Sequence, residues 1–195
     1  TPKLATTATG VDVTGTVTAQ LLDLGTNNPR IRFDDSDTSN NGEVTLDNTS
    51  LRIEADEDNA VANSKISFRV DGSEKAFINS SGLSVTGTAI ATTDTDTTNT
   101  GSVTLDFAAN QNFVLTLTGN VTLANPTTEQ VGQSGFIVFI QDATGGRTVS
   151  LGTDYETAGG AGITLSSAAS ATDIVPYVVA ASGRILLGAP QLAFS

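Results

Sequence analysis

The stretch KISFRVDGSEKAFI, residues 65–78, decides the fold class. Ile66, Phe68 and Val70 alternate with Ser67 and Arg69, and a period of two places the apolar three on one face of a strand. Asp71-Gly72 follows at once. Both residues tolerate the positive φ that a tight type I′ turn demands, so the chain is expected to fold back as a hairpin through Lys75-Ala76-Phe77-Ile78.

The same alternation spreads outward in both directions. Upstream it recurs in Val11–Thr18 (broken only at Gly15), Ile31–Phe33 and Leu51–Glu54. Downstream it recurs in Val103–Phe107, Phe113–Leu117 and Val121–Leu123. Turn chemistry is expected between these runs at Asn41-Gly42, Ser81-Gly82, Thr118-Gly119-Asn120 and Gly145-Gly146. Two segments are apolar at almost every position, Phe136–Ile140 and Ile174–Val179, and such runs suit strands covered on both faces. The longest helix candidate, Asn59–Asn63, is too short to nucleate. The fold class is all-β.

Composition removes several functions. The 195 residues include no Cys, His, Met or Trp, whereas 31 are Thr. Disulfides, thiol nucleophiles, Cys- or His-type metal sites and a Ser-His-Asp triad are therefore excluded. The net charge of −12 opposes nucleic acid and anionic membranes. No run approaches the roughly 18–20 apolar residues that span a bilayer as a helix. Neither a cofactor nor membrane insertion is expected.

Charge and apolar density divide the chain. Seven of the nine Lys and Arg precede residue 76. Residues 92–102, TTDTDTTNTGS, carry no large side chain and are expected as a polar linker. They separate residues 1–91, thin shaft-like β modules, from residues 103–195, a compact C-terminal β domain of roughly eight strands. Gly10–Ala19 and Gly82–Ala91 are identical at six of ten positions, an offset of 72 residues that marks a repeating module. The repeat and the absence of Met point to the C-terminal piece of a longer protein. Residues 1–91 hold three Phe and neither Tyr nor Trp. Ordering each residue costs roughly 1–2 kcal/mol, which so few large side chains offset poorly within one chain. Sharing a core between copies is the expected remedy.

Several phrases resemble known virion proteins. LATTATGVDVTGTVTA (residues 4–19), IRFDDSD (31–37) and FRVDGSEKAFINSSGLSVTGT (68–88) resemble repeat modules of tail fibres from marine bacteriophages. QNFVLTLTGNVTL (111–123), GFIVFIQD (135–142) and RILLGAP (184–190) resemble the C-terminal domain of such fibres. The resemblance implies an intertwined homotrimer on the virion: an elongated modular shaft, then a β-sandwich-like domain that trimerises and forms the tip. It also implies attachment to the rest of the tail and an extracellular encounter with a host surface glycan or outer-membrane protein.

Candidate chemistry is sparse. Asp34, Asp35 and Asp37 could ligate calcium, but the spacing misses the EF-hand pattern and the residues suit an exposed turn. Asp94 and Asp96 would share one face if their segment were a strand, where a cation could relieve their repulsion, but a solvated linker is the stronger expectation. No metal is assigned. Glu54–Asp58 reads as a solvated loop rather than a glycosidase pair. Gly159-Gly160-Ala161-Gly162 lacks the helix that a phosphate loop needs. Beside it, Tyr155 could stack on a sugar while Asp154 and Glu156 accept its hydroxyls, although a Tyr at a domain edge also fits. Asp142 and Arg147 form a second loop, expected as an ion pair before a ligand site.

These features fit a structural and adhesive virion protein, not an enzyme. The alternative is a purely structural filament or decoration protein without receptor binding. An ice-binding solenoid would need a short coil period, and 72 residues is too long.

Overall fold

The computed structural model describes residues 4–7, 10–13, 30–35, 40–47, 49–56 and 62–194. The chain divides into two compact units, Thr1–Thr88 and Ala89–Ser195. Apart from one 3₁₀ turn at Ala158–Gly160, every regular element among the described residues is a strand. Consequently no helix there is long and apolar enough to cross a membrane.

The described residues of the first unit form three small antiparallel sheets. β1 (Leu4–Thr7) pairs with β2 (Gly10–Val13). β3 (Arg30–Asp35), β4 (Asn40–Asp47) and β5 (Ser50–Ala55) form the second sheet. β6 (Ile66–Val70), β7 (Ser73–Asn79) and β8 (Gly82–Val85) form the third. The hairpin expected at Asp71-Gly72 is present, with φ of 49° and 74° at its two central residues. Asn41-Gly42, expected as a turn, instead lies inside the ladder opposite Asp34 and Phe33. Here glycine permits close approach: a Cβ on Gly42 would sit 2.9 Å from the Glu54 carbonyl oxygen. The two copies of the repeat open on β2 and β8, both closing strands of antiparallel pairs. Residues 14–19 of the first copy lie outside the described residues.

The second unit is one mixed eight-stranded sheet. Its strands are β9 (Thr93–Thr104), β10 (Asn112–Ala124), β11 (Ser134–Gln141), β12 (Val149–Leu151), β13 (Tyr155–Thr157), β14 (Thr172–Ala181), β15 (Arg184–Leu187) and β16 (Gln191–Phe194). The order is β12-β10-β11-β14-β15-β13, with β9 beside β10 and β16 beside β14. Residues 92–102 are thus not a linker: most of that tract is β9, parallel to β10 along its whole length. An edge strand needs few apolar side chains, and β-branched Thr favours extended backbone, so a polar tract can pair as well as an apolar one.

Simple reach shows why this sheet must bend. Thr93 pairs with Asn112 and Thr104 with Ala124. A straight β9 would separate its ends by about 36 Å at roughly 3.3 Å per residue. The return from Thr104 to Asn112 reaches at most about 29 Å at 3.6 Å per residue. The pair therefore folds over, and its register shifts between Leu115 and Leu117 and again between Leu117 and Val121. Thr118-Gly119-Asn120, expected as a turn between two strands, is this corner within a single strand. Below it β10 pairs with β11, and above it with β12. A Cβ on Gly119 would lie 2.2 Å from Thr100 Oγ1, so the corner requires glycine.

The core fills the bend. Phe113, Leu115, Leu117, Val121 and Leu123 of β10 meet Ile137, Phe139, Val175, Val179 and Ile185, all buried. Leu105 and Phe107, expected to extend a strand, lie in the return segment and cap this core. The Phe107 ring centroid is 5.0 Å from Phe113 and 5.2 Å, edge-on, from Tyr177. The two apolar runs are covered on one face only. On the other, Phe136 is 50% and Val178 40% exposed.

Candidate ligand-binding surface

Tyr155 opens β13 and pairs with Ile185, whose side chain is wholly buried. That pairing draws the ring into the core, leaving it 5% exposed. The face that would stack on a sugar is covered. Its hydroxyl has no hydrogen-bond partner. Burial, then the charges of Asp154 and Glu129, push the hydroxyl's pKa well up, so it stays protonated.

The neighbouring carboxylates are differently placed. Glu156 is exposed and forked to Arg184, with Nε–Oε1 of 3.0 Å and Nη2–Oε2 of 3.1 Å. The β13–β15 pairing sets this contact, since Glu156 lies opposite Leu186 in register and near the strand's first residue, Arg184. Asp154 is half-buried: its N–H donates to Asn125 Oδ1 at 3.1 Å, and its carbonyl accepts from Ile185 N at 2.7 Å. Glu129 reaches the same corner, accepting from Gly183 N at 2.9 Å, and this bond holds its carboxyl below the usual range.

Asp142 and Arg147 occupy a separate loop between β11 and β12. Asp142 Oδ2 accepts from Arg147 Nη2 at 2.8 Å and Nε at 3.2 Å. Asp142 Oδ1 accepts from the N–H groups of Thr144 and Gly145. The guanidinium, then the Gly145 N–H, hold the Asp142 carboxyl below the usual Asp range. Buried Gln141 clamps the loop base, donating to the Arg147 carbonyl and accepting from its N–H, both at 2.8 Å.

An open cavity of about 570 Å³ lies beside β12 and β13. Tyr155, Glu156, Ser150, Thr157 and the glycine loop at residues 160–162 line it, whereas Asp154, Asp142 and Arg147 do not. The structure therefore brings two of the five sequence-predicted residues to one cavity. Gly159, Gly160 and Gly162 adopt positive φ with no neighbour near a built Cβ, leaving that rim open. Arg184, 28 residues from Glu156, was invisible to sequence reasoning because only strand pairing brings it near.

Among the described residues, no three His, Cys, Asp or Glu side chains group as a metal site. Asp94 and Asp96 do share a face, the core side, beside Phe113 and Leu115. On an edge strand, inward carboxylates oppose addition of another strand. Asn99 continues that row, buried, with Nδ2 donating to the carbonyls of Asp96 and Thr116. Asp34 and Asp35 end β3, and Asp37 lies outside the described residues.

Residues 91–184 match the family described as "Putative phage tail fibre C-terminal domain". This part of the chain resembles a phage tail fibre C-terminal domain. The match takes in β9 and its corner with β10, and it ends at Arg184. A tail fibre domain is a structural component of the virion tail. No curated protein and no solved structure matches the chain.

Proposed function

We propose that the chain is the C-terminal part of a homotrimeric tail fibre, extracellular and adhesive, whose fibre domain contacts the host cell surface. The match of residues 91–184 to the tail fibre family carries this reading. Homotrimerisation accords with the first unit, which contributes no buried apolar side chain to the core among the described residues. The contact forms at the cavity beside β12 and β13. Glu156, held by Arg184, and the hydroxyls of Ser150 and Thr157 supply polar groups for sugar hydroxyls or a protein loop, and Tyr155 supports the cavity from the core. Asp154, Asp142 and Arg147 hold neighbouring loops in shape. The fibre is not an enzyme, and its adhesion multiplies weak contacts over several tips.

The test is competition: purified chain is added to the parent phage and its host, and adsorption is counted. Blocked adsorption, weakened by Glu156→Lys, is the expected result. A second reading, a structural filament or decoration protein without receptor binding, draws on the loop ion pairs already closed within the chain. Under it, adsorption proceeds unchanged and labelled chain does not decorate cells.

A further inference from the structure

The two three-stranded sheets of the first unit have an inverted polarity. In β3-β4-β5 the register aligns Ile31, Val44 and Ile53 across one face, with Leu46 opposite Leu51 beside them. That face is open: Ile31 is 41%, Leu46 53%, Leu51 66% and Ile53 51% exposed. The opposite face carries Glu43 and Thr45, and these polar residues are the buried ones, 2% exposed each. Thr45 Oγ1 donates to Glu43 Oε1 there at 2.7 Å.

The sheet β6-β7-β8 repeats the pattern. Ile66, Ile78 and Leu83 form one row and Phe68, Ala76 and Val85 the next, all on one face. Phe68 is 50%, Leu83 68% and Val85 45% exposed. The other face satisfies itself: Lys65 bridges to Glu74 at 2.7 Å and lies over the Phe77 ring, while Ser67 donates to Glu74 at 2.6 Å.

We infer that these two apolar faces are contact surfaces between copies of this chain, an assignment that rests on the homo-oligomeric fibre reading. A three-stranded sheet needs a covered apolar face to hold in water, and among the described residues neither sheet has one. The need is therefore permanent, not that of an occasional partner. Two successive sheets leave open the same kind of face, so the covering molecule must itself repeat along the chain. Another copy does so by construction, presenting the same patch under rotational symmetry. The face positions named above are all uncharged, so the net charge of −12 does not set copies against each other at the contact.

Hydroxyl-radical footprinting of the purified wild-type chain tests this without any variant. Purified chain contains no partner but itself. Ile90, 90% exposed, is the internal standard for open side chains, and Leu117, wholly buried, for covered ones. The expected result is loss of oxidation at Leu51, Phe68 and Leu83 to the level of Leu117. Oxidation of these three at the rate of Ile90 overturns the assignment. Light scattering on the same sample separates the causes. An oligomer with oxidised faces overturns these surfaces alone, whereas a monomer with oxidised faces overturns the homo-oligomeric reading too.

Discussion

Asp173 is the buried carboxylate on which the end of the second unit depends, and Asp173→Ala tests that dependence. It sits on the core side of β14 beside Phe139, 1% exposed. Its carboxylate accepts from Ser166 N at 2.6 Å, from Ser166 Oγ at 2.8 Å and from Ala193 N at 2.8 Å. It thus ties the loop before β14 and the last strand to the sheet centre. A hydrogen bond to an ionised group contributes roughly 1.5–3 kcal/mol net. Ala193 is exposed and Ser166 half-buried, so water can replace part of what is lost. The expected cost is about 3 kcal/mol, a large share of a domain's usual 5–15 kcal/mol. In a unit of this size that lowers Tm by roughly 12 °C or more. Asp173→Asn keeps one acceptor oxygen and is expected to lose about half as much. Thermal unfolding followed by circular dichroism, at fixed chain concentration, reads both. A loss below about 1 kcal/mol for the alanine variant would refute the reasoning, because the loop and β16 would then be held by other contacts.

Three further outcomes follow from the fold. Tyr155→Phe removes a buried hydroxyl without a partner and is expected to leave Tm unchanged or raised, whereas Tyr177→Phe breaks a 2.6 Å bond to the Gln111 carbonyl and costs about 1 kcal/mol; matched melts distinguish the two. Gly119→Ala drives a Cβ into Thr100 at the strand corner and is expected to destabilise by about 1–3 kcal/mol in chemical denaturation, while Gly146→Ala, in an open turn at φ 75°, costs less. Asp142 has a lowered pKa in the folded chain, so its contribution is present above the ordinary Asp value of about 3.9 and is lost as pH falls through the lower folded value. The stability gap between wild type and Arg147→Met is therefore expected at pH 7 and to close in acid titrations below about pH 4.

Much of this architecture is legible in the sequence because period two is a strong signal. Phe113, Leu115 and Leu117, the Asp71-Gly72 hairpin, and the shortage of core before residue 91 all read directly. The failures share a physical cause: turn chemistry and corner chemistry use the same residues. Thr118-Gly119-Asn120 bends one strand, and only the short return from Thr104 to Asn112 reveals it. β9 is hard to tell from a linker because an edge strand draws its stability from backbone pairing, which leaves no apolar pattern. The candidate surface was less legible. Tyr155 looks like a loop aromatic until its pairing with Ile185 is known, and Glu156 gains its partner, Arg184, across two strands. The Asp142–Arg147 ion pair is legible, since opposite charges five positions apart around a Gly-Gly turn suffice.

The central claim is that copies of this chain complete one another in a homotrimeric fibre. Multi-angle light scattering of the purified, folded chain tests it most directly. The account predicts three times the mass of one chain, unchanged on dilution over the range where circular dichroism reports intact β structure. A single-chain mass with the same spectrum would contradict it.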